Sequence, residues 1–207
     1  MKAHVRVLSI LLFLPVAQAL ASDHHFNFSS EQIEIREIAS IDIPLRLISS
    51  LDHHGNSVEL DDGAIWTIVG SDSQVVASKW RLNDSVVVHP TLFPMLTGSQ
   101  FYLYNERTHT TANANLTANP YVDVPTQIQI NYIDYVRGNL QLVDGSGRTI
   151  YIKVNPKSYT EFSRWRVGHT LIIGSNEDCY AGWFSNYPLI LINAERKNHG
   201  YVEAIIE

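Results

Sequence analysis

Three groups of side chains in this 207-residue chain have types and spacings that suit chemistry. The first is Ser22-Asp23-His24-His25, which becomes an amino terminus if a leader is cut after Ala21. With histidine third, a free α-amine, two backbone amide nitrogens and an imidazole can enclose a metal in a square plane. That geometry is favoured by Cu(II) and Ni(II), and His25 offers a second imidazole. The competing reading is a polar tail that binds nothing of consequence. Elsewhere the sequence asks for no cofactor.

The second group is the stretch from Tyr180 to Tyr187, in which Tyr180, Trp183, Phe184 and Tyr187 crowd one connection. Rigid amphipathic rings on a loop supply contact surface for a peptide, a glycan or a protein partner. An earlier connection, Leu92-Phe93-Pro94-Met95-Leu96, stands in the corresponding place. For both loops the alternative is that they fold back over a barrel end and cover core. The third group is His53-His54, but neighbours along a strand point in opposite directions, and the pair reads better as solvated turn residues.

Other chemistry finds little support. The sequence contains no nucleophile elbow, no His-Glu-x-x-His helix and no phosphate loop. Gly145-Ser146-Gly147 lies between two predicted strands, and Asp62 and Asp144 are predicted turn residues. The single cysteine, Cys179, cannot close an intrachain disulfide. A formal net charge of -6 argues against a nucleic-acid partner. Hydrophobic residues make up 45% of the chain, enough to bury a core.

The elements that must position these groups come next. Lys2 and Arg6 precede the apolar run from Val7 to Val16, and small residues follow to Ala19-Leu20-Ala21. This is the pattern of a secretory signal peptide over residues 1–21, with an uncleaved anchor as the alternative. No other stretch approaches the length a membrane span needs. The expected mature protein is therefore exported, periplasmic or secreted, and has no transmembrane segment. Residues 22–41 are expected to form a mobile segment, with a strand or short helix around Glu31–Ala39. The sequence sets no oligomeric state.

The rest of the chain repeats itself. Leu51-Asp52 and Val58 to Gly63 match Ile133-Asp134 and Leu140 to Gly145 at an offset of 82. After an inserted Ser146-Gly147-Arg148 the offset becomes 85, aligning Ile65-Trp66 with Ile150-Tyr151 and Trp80-Arg81 with Trp165-Arg166. Tyr102 to Asn105 then meets Ile190 to Asn193 at offset 88. The gaps fall at turns, where extra residues are tolerated. Each copy reads as short strands of alternating or β-branched residues, with one helical turn near Val75–Ser78 and near Thr160–Arg164. The fold class predicted is all-β, two tandem copies of a small five- to six-stranded barrel or sandwich module, over residues 42–118 and 119–207. Trp80 and Trp165 are expected to seal equivalent barrel ends.

The recurring pattern, Leu-x-Asp-Gly, then Trp-Arg-x-Gly in the second copy and Trp-Arg-Leu-Asn in the first, then Leu-x-Asn, resembles a module of uncharacterised exported bacterial proteins. In style that module is similar to bacterial SH3-like barrels. The resemblance covers roughly residues 42–207 and rests on turn and core residues, so no catalytic or binding residue transfers. It implies a role in the bacterial envelope. The expectation is a non-enzymatic exported interaction or structural module, with an amino-terminal Cu(II) or Ni(II) site and a small hydrolase as alternatives.

Overall fold

Alternation of apolar and polar residues sets the inner and outer faces of most strands, with short turns between some neighbours and helical segments in longer connections. The computed structural model describes residues 45–120, 124–177, 185–196 and 200–207. The first copy comprises β1 (Leu45–Leu51), β2 (Ser57–Leu60), β3 (Ile65–Ile68), α1 (Ser71–Ala77), β4 (Ser85–Pro90), α2 (Pro94–Thr97), β5 (Phe101–Asn105) and β6 (Thr110–Ala118). The second comprises β7 (Ile128–Asp134), β8 (Asn139–Asp144), β9 (Thr149–Val154), a 3-10 turn (Pro156–Ser158), α3 (Tyr159–Phe162), β10 (Thr170–Ser175), β11 (Leu189–Asn193) and β12 (Tyr201–Ile206). Each set closes into an antiparallel six-stranded barrel, in the orders β1-β2-β3-β6-β5-β4 and β7-β8-β9-β12-β11-β10. Closure leaves no exposed strand edge in either barrel.

The two barrels share their register as well as their strand order. Ile48 pairs with Leu60 and Ser50 with Glu59, with a bulge between them. Ile130 pairs with Leu142 and Tyr132 with Gln141, with a bulge at the same place. The offset of 82 therefore holds through β1, β2 and their counterparts. Offsets of 85 and 88 hold at β4 and β5, where Val86 faces Asn105 and Leu171 faces Asn193.

At β3 the structure corrects the sequence alignment by one residue. Val58 pairs with Trp66, and its counterpart Leu140 pairs with Ile152, so Trp66 corresponds to Ile152 rather than Tyr151. On the other side, Ile68 faces Ala114 while Val154 faces Ala204. A slip of one residue moves a side chain to the opposite face, and accordingly Trp66 is buried while Tyr151 is exposed. The helical segments also begin earlier than expected. The first turn of α1, Ser71-Asp72-Ser73, is polar and carries no apolar period. In the second copy Pro156 opens the 3-10 turn, and the Asn155 side chain accepts the Lys157 N–H at 3.0 Å.

Trp80 and Trp165 are both buried. Trp80 Nε1 donates to Thr110 Oγ1 at 2.9 Å, and the Trp165 ring packs edge-on against Phe162, 6.1 Å between centroids. Just beyond each tryptophan the copies use different side chains in one slot. In the first, Asp84 accepts the Arg81 N–H at 2.9 Å and Asn105 Nδ2 at 2.8 Å, and pairs with Arg107. In the second, His169 Nδ1 takes the Arg166 N–H at 3.3 Å and lies 2.8 Å from Asn193 Nδ2. A backbone N–H can only donate, so Nδ1 is the acceptor and the ring proton sits on Nε2. Burial lowers the His169 pKa, against the pull of nearby Glu195.

The turn carboxylates differ too. Asp62 receives the Ala64 N–H at 2.9 Å and faces buried Arg46 at 3.6 Å. Burial pushes its pKa up, with Arg46 opposing. The inserted Ser146-Gly147-Arg148 brings Asp144 partners of its own, the Ser146 hydroxyl at 2.6 Å and Arg148 Nε at 2.9 Å. Burial raises the Asp144 carboxyl, but the Ser146 hydroxyl, the backbone N–H groups of Arg148 and Ser146 and the Arg148 charge outweigh it and hold the group low.

Asp84 lies well below the usual carboxylate range, chiefly because Arg107 hydrogen-bonds it and then because Asn105 and the Arg81 N–H do. A depressed folded-state pKa stabilises the fold above the unfolded value near 3.9, and that stability is lost as pH falls toward the folded value. The Asp84→Asn variant should therefore lose less stability than the parent between about pH 5 and about pH 2. Urea unfolding across that window measures it. Parallel acid limbs for the two proteins would remove Asp84 as a source of acid sensitivity.

The barrels meet along β4 and β10, within one compact unit. Every residue of β10 and β11 is buried, because one face looks into the second barrel and the other onto the first. Ile172, Ile190, Ile192 and Ala194 belong to the hydrophobic cluster of the first barrel, and Tyr201 packs against it. At Gly174 the backbones come so close that a Cβ would lie 2.4 Å from the Val88 carbonyl oxygen.

Candidate functional site

The connection between β4 and β5 is built to hold apolar side chains in water. Pro94 occupies the first turn of α2, where its missing N–H costs nothing, and Gly98 closes the helix in the left-handed conformation at φ 68°. Gly98 N donates to Pro94 O at 2.9 Å and Leu96 N to Phe93 O at 3.0 Å. From β6, the Asn115 side chain clamps the stem, its Oδ1 accepting the Gln100 N–H at 2.7 Å and its Nδ2 donating to Gly98 O at 3.0 Å. Thr91 N adds a bond to Gln100 O at 2.9 Å.

On this frame Met95 is 100% exposed, Leu96 83%, Phe93 60% and Leu92 45%. The expectation that this loop folds back over the barrel end is overturned. Its stem is tied to β6 by Asn115, and its apolar side chains face outward. No Asp, Glu, Lys or Arg occurs from Ser85 to Asn105, so the tip is uncharged as well as apolar. Contiguous exposed apolar surface of this kind marks a contact surface.

The second-copy connection is described only at its ends. Its stem is held from β12, as the first is held from β6. Glu203 accepts the Ser185 hydroxyl at 2.8 Å and Asn176 Nδ2 at 3.3 Å, and Asn155 Nδ2 also bonds to it. Tyr187 is half-buried in this stem, its N–H donating to Ser185 Oγ at 3.2 Å and its carbonyl accepting Asn176 Nδ2 at 3.2 Å. Tyr180, Trp183 and Phe184 lie outside the described residues, as do Ser22, Asp23, His24 and His25 of the metal expectation. Tyr187 is thus placed by its backbone hydrogen bonds.

His53 and His54 stand exposed in the β1–β2 turn with ring centroids 5.3 Å apart. The nearby Asp52 carboxylate is already taken up by the N–H groups of His54 and Asn56, each at 3.1 Å. Among the described residues, no group of three or more His, Cys, Asp or Glu side chains is placed to hold a metal ion. No helix among them is long and apolar enough to cross a membrane. Sequence reasoning named Leu92, Phe93, Met95 and Leu96 only as the counterpart of the second-copy loop and not as site residues. Their signal was an apolar run broken by Pro94 and ended by Gly98, a turn composition rather than a strand one. The chain matches no known protein family, no curated protein and no solved structure.

Proposed function

We propose that the chain is a non-enzymatic exported interaction module that engages a protein partner through the tip of its first barrel. The observation that carries this reading is the rigid, uncharged presentation of Leu92, Phe93, Met95 and Leu96 at high exposure. A preorganised stem removes most of the ordering cost that a flexible loop would bear on binding. The apolar side chains supply the burial that dominates interface cores. A convex apolar tip fits a concave apolar pocket on a partner. Export is supported by Lys2 and Arg6 ahead of the apolar run from Val7 to Val16.

The test is a double variant, Phe93→Asp with Met95→Asp. Both side chains are exposed, so the stability change should stay within the range of ordinary surface substitutions, about 0.5 kcal/mol. Co-purification from envelope and medium fractions should recover a partner with the parent chain and lose it at least about tenfold with the variant. Equal recovery by the two proteins would rule the tip out as the contact surface.

A further inference from the structure

The outer face of the second barrel carries a second, chemically different surface. Tyr132 on β7, Gln141 on β8 and Tyr151 on β9 pair directly across three adjacent strands. They form one outward row, with the tyrosines 55% and 48% exposed. The bulge between Ile130 and Tyr132 helps turn Tyr132 outward. A parallel row, Asp134, Asn139 and Lys153, lies beside it by the same registers. The first row, Asp134 and Asn139 of the second, Arg137 and Glu207 border an open cleft of about 430 Å³.

Of the charged side chains lining the cleft, Asp134 and Arg137 are engaged with each other, and the third is Glu207. Asp134 Oδ1 accepts the N–H groups of Val136 and Arg137, each at 3.0 Å, and its other oxygen lies 4.0 Å from Arg137 Nε. Lys153 Nζ donates to Asn139 Oδ1 at 2.8 Å and to the Arg137 carbonyl. The Gln141 amide and the two phenol hydroxyls make no hydrogen bond among the described residues. The row therefore offers two ring faces with an uncharged donor and acceptor between them. The first barrel has Ser50, Glu59 and Ile65 at the same register positions, so the barrel architecture does not itself require the tyrosines.

We infer that the Tyr132–Gln141–Tyr151 row is a binding site for a neutral oligosaccharide. A pyranose ring presents axial C–H bonds of partial positive charge, which pack against the negative face of an aromatic ring. Its equatorial hydroxyls suit an amide that can both donate and accept. Two interstrand spacings, about 9.5 Å, separate the tyrosine backbones, a span that suits rings of a short linear glycan with a sugar over Gln141. With Asp134 set against Arg137, the Glu207 carboxylate is the cleft's remaining charge, which disfavours an anionic ligand and can accept hydrogen bonds from sugar hydroxyls. This surface is distinct from the apolar tip, and the two assignments stand or fall separately.

The experiment titrates the full chain with chitotetraose and cellotetraose, two neutral β-linked probes, while amide and side-chain NMR shifts are followed. Saturable shifts centred on Tyr132, Gln141 and Tyr151 are expected with at least one probe. Tyr132→Ala and Tyr151→Ala should each weaken that binding at least about fivefold with an unchanged melting temperature. The tip variant Phe93→Asp should bind the probes as the parent does. Absence of saturable shifts with both probes, equal binding by both tyrosine variants, or shifts at this row from a short peptide but not from either glycan would overturn the assignment.

Discussion

Replacing Trp165 with alanine should destabilise the protein by about 3–5 kcal/mol, lowering the melting temperature by about 6–20 °C for a chain of this size. The ring is fully buried and belongs to a cluster in which Phe162 lies 5.7 Å from Tyr159 and 5.6 Å from Tyr135 between ring centroids. The cluster cannot collapse freely into the space left behind. The Tyr135 hydroxyl donates to the Trp165 carbonyl at 2.7 Å, which fixes the far wall to the backbone. Trp165→Phe retains an aromatic edge for Phe162 and should cost less. Chemical denaturation of both variants measures the difference, and a loss below about 1 kcal/mol for alanine would show that the walls close in after all.

The second large effect is expected at Gly174. Alanine there would put its Cβ 2.4 Å from the Val88 carbonyl oxygen and 2.9 Å from Ile190 Cγ1. The first of these is backbone in the middle of β4 and cannot rotate away. Relief requires β10 to move off β4, which opens the seam that buries Ile172, Ile190 and Ile192. The expected cost is about 1–3 kcal/mol, with larger losses for Gly174→Val. Faster hydrogen exchange should accompany it along β4 and β10, with β8 far less affected. A variant with unchanged melting and unchanged exchange in β4 would show that the strands are not in close contact at this point.

Most strands of both barrels were legible because half-buried strands alternate and because two copies could be compared. Phe101–Asn105, for one, alternates buried and half-buried side chains along its whole length. The slip at β3 came from matching Trp66 with Tyr151 as two aromatic residues. The readable cue was polarity: matching Thr67 with Lys153, both pointing away from the core, requires the shifted register. The tip was harder to read. Leu-Phe-Pro-Met-Leu has the composition of core cover, and its exposure depends on the Asn115 clamp, a contact from a strand some twenty residues away. The tyrosine row was not legible at all, since Tyr132, Gln141 and Tyr151 meet only once the register of three strands is known. The sequence had placed its emphasis instead on Tyr180, Trp183, Phe184 and Tyr187 and on His24, positions selected by local composition.

The seam has a consequence for how the two copies could come to differ. Equivalent strands, β4 and β10, face each other across it, as they would if two identical modules associated about a twofold axis. Two free modules would hold that apolar surface covered only at sufficient concentration. Joined in one chain, each is the other's tethered neighbour at a local concentration that dilution does not lower. The inward strands must stay complementary, whereas the outward ones are released from the requirement of symmetry. The first copy presents Leu92, Phe93, Met95 and Leu96 on its surface, and the second carries Tyr132 and Tyr151 where its twin has Ser50 and Ile65. One folded body thus carries two surfaces that can vary independently.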